Sequence, residues 1–275
     1  MFRALVLGVV QGLTEFIPVS SSAHLVLVPY VLGWNGDGGF DPGVPFDVAV
    51  HLGTALAVIV YFRRDLWRML RGLVRTIART GDEDDRREAR LAGLLVVGSI
   101  PAAVAGILFE GFFEEIFHEP PLVAMLLVGT AGLLFAGEAL HDHQEGPRRD
   151  LDDVGLGDAL LMGGFQALAI APGISRSGST IVAGLWRRLS RDAAARFSFL
   201  LGLPAILGAG LVQIHDFPAG TDYGPVLAAS AVSALSGFAA IAFLLRYLRT
   251  RTLRPFAVYC LLAAAVALGY WLQIR

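Results

Sequence analysis

The sequence predicts an all-α polytopic membrane protein with inverted-topology repeats, about six full transmembrane helices and two re-entrant helix-loop-helix hairpins. Three observations support this fold class. The 275 residues are 55% hydrophobic and only 17% charged, more apolar and less charged than an average soluble domain, and the mean hydropathy is +0.61. Long apolar runs recur along the chain. Two further apolar segments are interrupted at their centres by proline, glycine and serine.

Six of the apolar runs are long enough to cross the roughly 30 Å hydrocarbon core of a bilayer as helices. A helix suits that environment because it satisfies its own backbone hydrogen bonds. The predicted spans are residues 46–62, 91–108, 122–140, 197–214, 226–245 and 255–274. The first residues lack the pattern of a cleavable signal peptide, so we expect the first apolar segment to remain in the mature protein.

The distribution of arginine predicts the orientation of these spans. The chain contains no lysine, and most arginines fall into four clusters, at 63–90, 148–149, 187–196 and 246–254. The acidic segments 33–45, 109–121 and 213–225 contain no lysine or arginine. The positive-inside rule places the arginine clusters in the cytoplasm and the acidic segments outside. The six spans then alternate sides without contradiction.

Two segments do not fit this alternation as ordinary spans, and we call them the first hairpin (1–32) and the second hairpin (157–190). They are broken by "IPVSSS", the first tip (17–22), and by "APGISRSGS", the second tip (171–179). Proline removes a helix donor and clashes with the preceding turn, and glycine weakens a helix further. We therefore predict two re-entrant hairpins, whose irregular tips must be buried in protein or line a wet cavity.

The two hairpins share a spacing that predicts an internal repeat. Gln11 precedes Ser20 by nine residues and Gln166 precedes Ser175 by nine, with a proline between the members of each pair. Within a single membrane domain, 1–275, the repeat halves are about 1–140 and 157–275, joined by a cytoplasmic linker at 141–156. Each half has a hairpin and three spans, so the second half enters from the opposite face. Sites in such folds form where the repeats meet near the midplane.

Arg176 is the basic residue at the centre of an apolar segment. A charge at that depth costs about 2.5 to 3.5 kcal/mol on insertion scales, so it requires a partner or a function. Serine and threonine hydroxyls surround it, and a short helix follows. A guanidinium, hydroxyls and free helix N–H groups together favour an anion site, and phosphate fits best. The alternative is a structural pair between Arg176 and Glu15 that only holds the hairpins together.

The first tip carries complementary groups. Gln11 and Glu15 are four residues apart and share one helix face, and their oxygens suit Mg²⁺ or Ca²⁺ held beside a phosphate. One of the serines 20–22 offers a hydroxyl nucleophile, and His24 is a candidate base or acid. The alternative roles are serines that satisfy the broken helix backbone and a histidine bonded to a carbonyl.

These residues resemble a known family, the bacterial undecaprenyl pyrophosphate phosphatases of the bacitracin-resistance type. "QGLTEFIPVSSSAH" (11–24) matches the family's (E/Q)xxxE motif and the Ser/His stretch that follows it, and "PGISRSGST" (172–180) matches its PGxSRSxxT motif. "FSFLLGLPAILGA" (197–209) and "RPFAVY" (254–259) are also similar. The resemblance covers nearly the whole chain.

The resemblance implies that the terminal phosphate of undecaprenyl pyrophosphate is removed. The product is the lipid carrier of peptidoglycan and other envelope polymers, and its recycling gives bacitracin resistance. The resemblance also implies a bacterial inner-membrane location, divalent-metal dependence and an active site reached from outside. The family's functional residues fall on Gln11, Glu15, Ser21, His24, Ser175, Arg176, Ser177 and Thr180. Gln11 occupies the E/Q position, which leaves Glu15 as the one metal carboxylate.

The chemistry of the residues at the two tips and the family resemblance predict the same set of site residues. We assign catalytic roles to Glu15, Ser21, His24 and Arg176, phosphate binding to Ser20, Ser175, Arg176, Ser177 and Thr180, and Mg²⁺ or Ca²⁺ binding to Gln11 and Glu15. Ser21 attacks or positions water, and His24 moves the proton. His51, at the start of a span, is either part of the outer mouth or, more simply, an interfacial histidine.

Other classes of function are weighed against this one. A polyprenyl-phosphate transporter or flippase shares the inverted repeats and the midplane anion site, but it does not require a neighbouring carboxylate, hydroxyl and imidazole. Soluble-type acid phosphatases need a lysine, which the chain lacks. The arginines form the cytoplasmic rim of a membrane protein, so no nucleic-acid partner is expected. The expected partners are the polyprenyl substrate and membrane lipids. Small residues at 228–240 permit close helix packing, which allows a homodimer.

Overall fold

The computed structural model describes residues 1–34, 43–213 and 222–274, and helices form most of this part of the chain. The described helices are α1 (Phe2–Phe16), α2 (Ser21–Val31), α3 (Gly43–Tyr61), α4 (Arg63–Ile77), α5 (Glu83–Phe117), α6 (Pro120–His143), α7 (Leu156–Leu168), α8 (Arg176–Trp186), α9 (Arg191–Gln213), α10 (Tyr223–Leu248) and α11 (Arg254–Gln273).

Five of these helices are long and apolar enough to cross a membrane, namely α5 as far as Phe109, α6, α9, α10 and α11. A sixth candidate is α3, which is bent by 76° against α4. The structure thus confirms the predicted all-α polytopic membrane protein. Five of the six predicted spans coincide with these five helices, and the remaining predicted span, 46–62, coincides with α3.

Two segments that the sequence analysis treated as loops contain helix. Residues 63–77 of the first arginine cluster form α4, in which Met69 and Gly72 are buried while the arginines are exposed. A Cβ on Gly72 would lie 2.5 Å from the carbonyl oxygen of Asp85, so α4 packs closely on the start of α5. At its other end α5 continues to Phe117 beyond a kink at Phe109. Parts of the two other acidic segments, residues 35–42 and 214–221, lie outside the described residues.

The first and second hairpins are α1–α2 and α7–α8, each two short helices around an irregular tip. The second arms, α2 and α8, have 11 residues each and are about 16 Å long at 1.5 Å per residue, too short to span a bilayer. Both start in the same way. Ser20 accepts a hydrogen bond from the N–H of Ala23 at 3.3 Å, and Ser175 accepts one from the N–H of Gly178 at 3.1 Å.

Small residues let each hairpin approach a helix of the other predicted half. A Cβ on Gly8 would lie 2.5 Å from the carbonyl oxygen of Ala229, so α1 lies against α10. A Cβ on Gly163 would lie 2.0 Å from the carbonyl oxygen of Gly98, so α7 lies against α5. Gly8 and Gly163 each precede the glutamine of their hairpin by three residues. The division into repeat halves and linker stays a prediction. A homodimer through 228–240 also stays a prediction, and part of that stretch packs on α1 within the chain.

A buried carboxylate ties three helices together at the side of the arginine clusters. Glu138 of α6 is fully buried. It accepts hydrogen bonds from Arg191 at the start of α9 and, at 2.7 Å, from the backbone N–H of Leu253 before α11. These contacts hold together the helices that flank the two hairpins.

Candidate active site

The two tips meet at the carboxylate of Glu15, in the last turn of α1. This side chain is 5% exposed. Its Oε1 accepts a hydrogen bond from Arg176 Nη2 at 2.8 Å, and its Oε2 accepts one from Ser21 Oγ at 2.6 Å and one from Gln11 Nε2 at 3.0 Å. Three other predicted site residues, from both hairpins, therefore converge on the Glu15 carboxylate.

The local backbone of the first tip explains why Ser21 points at Glu15. Gln11 and Glu15 lie one turn apart, and α1 ends at Phe16 just before Pro18. Ser20 then adopts φ +69° and ψ 98°, a left-handed region that is costly for a residue with a side chain. This turn reverses the chain so that Ser21, the first residue of α2, faces the last turn of α1.

The second tip is fixed by α6. Gly173 has φ +106°, and a Cβ there would lie 2.6 Å from the carbonyl oxygen of Val123, so only glycine fits. The hydroxyl of Thr130 donates to the carbonyl of Gly173 at 2.7 Å and accepts from the N–H of Ser175 at 2.9 Å. Thr130 was not among the predicted residues because nothing in its local sequence connects it with the tip 43 residues away.

Two residues of α9 hold the guanidinium of Arg176. Its Nη1 donates to the carbonyl of Ser198 at 3.2 Å. A Cβ on Gly202 would lie 1.9 Å from the same Nη1, so the guanidinium rests directly on the glycine backbone. The Nε atom is buried and has no hydrogen-bond partner in the protein. The side chain thus keeps unused donors after it has paired with Glu15. Ser198 and Gly202 lie in the "FSFLLGLP" segment, which the sequence analysis noted without assigning a role.

The hydroxyls of the second tip are engaged inside the fold. Ser175 caps α8, and its Oγ lies 3.4 Å from that of Ser177. Thr180 Oγ1 donates to the carbonyl of Arg176 and lies 2.6 Å from Ser198 Oγ, which joins α8 to α9. All three are almost fully buried. Their hydrogen bonds therefore shape the start of α8.

The first turns of α2 and α8 both begin beside Glu15. The first two N–H groups of a helix have no acceptor within the helix; in these helices they belong to Ser21 and Ser22, and to Arg176 and Ser177. Ser22 Oγ also lies 3.4 Å from the N–H of Gly173, across the two tips. Two helix N-termini therefore direct their positive dipole ends towards the same region.

His24 is held by contacts other than those with Ser21. Its Nδ1 lies 2.7 Å from the carbonyl oxygen of Ser20, and its Nε2 lies 2.8 Å from the hydroxyl of Tyr259 in α11. The hydroxyl of Ser21 donates to Glu15. The structure thus brings His24 to the first tip but pairs the predicted nucleophile with Glu15. Tyr259 ends the "RPFAVY" segment, and nothing in its local sequence indicates that it reaches His24.

His51 of α3 also lies at the site. Its Nε2 is 3.8 Å from Glu15 Oε2, and its Nδ1 donates to the carbonyl of Asp47 at 2.7 Å. The side chain is 34% exposed. Of the two roles considered from the sequence, a position at the mouth of the site describes this geometry better than an isolated interfacial histidine.

The residues at the first tip fit a cation that is shared with a phosphate. Gln11 Oε1 is buried without a hydrogen-bond partner, which leaves one free oxygen next to the Glu15 carboxylate. Across the described residues, no group of three or more His, Cys, Asp or Glu side chains is arranged to hold a metal. Mg²⁺ commonly binds with few protein carboxylates and completes its shell with phosphate oxygens and water. This donor set suits that mode.

Comparison with known proteins identifies the family. Residues 4–266 match the profile of the family described as bacitracin resistance protein BacA. The chain belongs to the BacA family. The resemblance drawn from the two tip motifs is thereby confirmed, and it extends over nearly the full chain.

Three curated relatives of this BacA family member are named undecaprenyl-diphosphatase. The undecaprenyl-diphosphatase of Synechococcus elongatus is 46% identical, with 98% of this chain and 92% of the relative aligned. That of Geobacter sulfurreducens is 44% identical, with 98% of each chain aligned. That of Hahella chejuensis is 42% identical, with 98% of this chain and 97% of the relative aligned.

Proposed function

We propose that this protein is an undecaprenyl-diphosphatase, which hydrolyses undecaprenyl pyrophosphate to undecaprenyl phosphate and inorganic phosphate. The curated relatives bear this name over almost their whole length. The observation that carries the proposal is the junction at Glu15, where one carboxylate contacts a hydroxyl, an amide and a guanidinium. That combination provides a nucleophile, a proton acceptor and an anion clamp in one place.

The pyrophosphate binds between the two tips in this proposal. The N–H groups that begin α2 and α8 and the unused donors of Arg176 attract the phosphate oxygens. Ser20, Ser175, Ser177 and Thr180 contribute mainly through the backbone that they order, since their hydroxyls hydrogen-bond within the tips. Positioning and charge stabilisation supply most of the rate in phosphoryl transfer, and Arg176 stabilises the negative charge that develops on the phosphoryl group.

Ser21 is the proposed nucleophile. Its Oγ bonds to the terminal phosphorus as the bridging P–O bond breaks, and undecaprenyl phosphate leaves with the electron pair of that bond. Glu15, which already accepts the Ser21 hydrogen bond at 2.6 Å, takes the proton. Water then hydrolyses the phosphoserine and releases inorganic phosphate. His24 exchanges protons during these steps. Direct attack by a water that Ser21 positions is the alternative for the same residues.

Gln11 and Glu15 are the proposed ligands of Mg²⁺ or Ca²⁺. A bound cation would neutralise charge on the pyrophosphate. Gln11 then acts through its free Oε1, while its Nε2 orients Glu15. Because the protein supplies one carboxylate and one amide oxygen, we expect the cation to bind together with the substrate.

The protein is proposed to lie in the bacterial inner membrane with the site open to the outer face. The arginine clusters face the cytoplasm in this orientation. The polyprenyl tail lies along the exposed apolar surfaces of the spans, among the membrane lipids. Product formed at this site returns to the cycle of envelope polymer synthesis, which accounts for bacitracin resistance.

Phosphate release tests this proposal. Purified protein in detergent is given a C55 or C15 polyprenyl pyrophosphate, with and without a chelator, beside Glu15→Ala. We expect release that requires a divalent cation and is lost in the variant. Absence of release with every cation, while the lipid still binds, would refute the enzyme and favour a lipid carrier. The lipid carrier has less support, because transport of a lipid does not require a hydroxyl that hydrogen-bonds to Glu15.

A further inference from the structure

Tyr259 reaches the first tip from the last helix of the chain. It lies in α11, 235 residues from His24, and its hydroxyl is 2.8 Å from His24 Nε2. The two rings are stacked, with their centroids 5.6 Å apart and their planes 9° apart. This contact combines a directional hydrogen bond with a parallel ring, so it fixes both the position and the plane of the imidazole.

The hydrogen bonds of His24 determine which nitrogen exchanges a proton. Nδ1 faces the carbonyl oxygen of Ser20 at 2.7 Å, and a carbonyl oxygen can only accept, so Nδ1 carries a hydrogen. The neutral ring therefore has its lone pair on Nε2, where the hydroxyl of Tyr259 donates. When Nε2 is protonated it donates to the same hydroxyl oxygen. Tyr259 remains a partner in both states.

The two residues of the His24–Tyr259 pair differ in solvent exposure. His24 is 7% exposed, whereas Tyr259 is 45% exposed. The hydroxyl of Tyr259 thus contacts the buried imidazole, while part of the tyrosine side chain reaches the surface of the described structure. A proton can pass without net change at the tyrosine. Its O–H proton moves to Nε2 while Oη takes a proton from water or a phosphate group, and the reverse movement releases the proton.

We propose that Tyr259 is a positioning residue that acts through His24, by fixing the plane of its imidazole and relaying the proton at Nε2. The inference rests on the proposed diphosphatase function and extends it. Ser21 gives its proton to Glu15 in that mechanism, so the His24–Tyr259 pair serves a separate proton transfer, at the water or the leaving phosphate. The site then contains two proton-handling pairs, Ser21 with Glu15 and His24 with Tyr259.

Tyr259→Phe tests the proposal because it keeps the stacked ring and removes only the hydroxyl. The matched control is Tyr270→Phe on the same helix, whose ring packs edge-on against Tyr30, away from the tips. In phosphate release from C15 polyprenyl pyrophosphate, we expect Tyr259→Phe to lower kcat roughly tenfold with little change in KM, as for the loss of one hydrogen bond. Tyr270→Phe keeps normal kcat, and both variants keep the melting temperature.

A double-variant comparison distinguishes action through His24 from a general structural effect. In the His24→Ala background, Tyr259→Phe should have no further effect on kcat, because the two changes remove the same interaction. An equal tenfold loss in both backgrounds, or a normal kcat for Tyr259→Phe, would overturn the inference. Absence of phosphate release from the unmodified protein would instead refute the proposed function.

The pH profile of kcat supplies a second measurement, needed if His24→Ala has no detectable turnover. The groups that contact the imidazole are the Ser20 carbonyl and the Tyr259 hydroxyl, and the Cys260 thiol, next to Tyr259 in the chain, faces the Pro18 carbonyl at 4.0 Å. Glu15, on α1, accepts hydrogen bonds from Arg176, Ser21 and Gln11. One limb of the profile should move in Tyr259→Phe and stay in place in Tyr270→Phe. An unmoved limb contradicts the relay.

Discussion

Gly202→Ala is predicted to impair turnover while leaving the fold intact. The new Cβ would lie 1.9 Å from Arg176 Nη1, against the roughly 3.5 Å of a van der Waals contact. The guanidinium must therefore move by about 1.5 Å. It is the end of a flexible side chain, so the displacement costs little stability. It lengthens the hydrogen bonds to Ser198 and Glu15, now 3.2 and 2.8 Å, while the guanidinium stays next to the Glu15 carboxylate.

A displacement of this size has a large effect on catalysis. Misplacing a reacting or charge-stabilising group by about 1 Å costs on the order of 100-fold in rate, equivalent to about 2.7 kcal/mol. We therefore expect kcat for phosphate release to fall about 100-fold, with a melting temperature near that of the unmodified protein. Gly208→Ala on the same helix is the control, since a Cβ there meets nothing within 4 Å. Turnover of Gly202→Ala within twofold of normal would refute the assigned position of Arg176.

Three further variants separate the site from its supports. Glu138→Ala leaves the buried N–H of Leu253 without its acceptor and leaves Arg191 with only its longer contact to Asp142 at 3.3 Å, and we expect a loss of about 3 to 5 kcal/mol in stability, seen as a lower melting temperature in detergent. Ser21→Ala removes the proposed nucleophile, so phosphate release should fall at least 100-fold while lipid binding persists; a smaller loss favours attack by water. Thr180→Val breaks the contact with Ser198 and should cost about 1 kcal/mol of stability, with a larger loss of kcat than Ser99→Ala, whose hydroxyl bonds only its own helix.

Much of the fold could be predicted because it depends on composition and local breaks. Apolar length defines the spans, and the two interruptions at 17–22 and 171–179 coincide with the ends and starts of α1, α2, α7 and α8. The helical character of α4 was missed because its segment was judged by charge. Its arginines recur at spacings of three and four residues, a pattern typical of an amphipathic helix.

The candidate site could be predicted only as far as its motifs extend. A pair between Glu15 and Arg176 was considered as the alternative to an anion site, because a buried charge needs a partner, and the two side chains meet at 2.8 Å. Gly202 and Tyr259 were missed because their roles depend on contacts between helices far apart in sequence. Neither has a local pattern that differs from ordinary helix packing, so only the tertiary structure reveals that they touch Arg176 and His24.

The most direct test of the central claim is phosphate release from undecaprenyl pyrophosphate by Arg176→Ala, beside Arg63→Ala as a control. The side chain of Arg63 hydrogen-bonds only the carbonyl of Val60 on the surface, among the contacts described, so its loss should leave turnover unchanged. If the junction of the two tips cleaves the pyrophosphate, Arg176→Ala loses about 100- to 1,000-fold in kcat. Near-normal release by Arg176→Ala would contradict the account, because the reaction would then proceed without the group on which both hairpins converge.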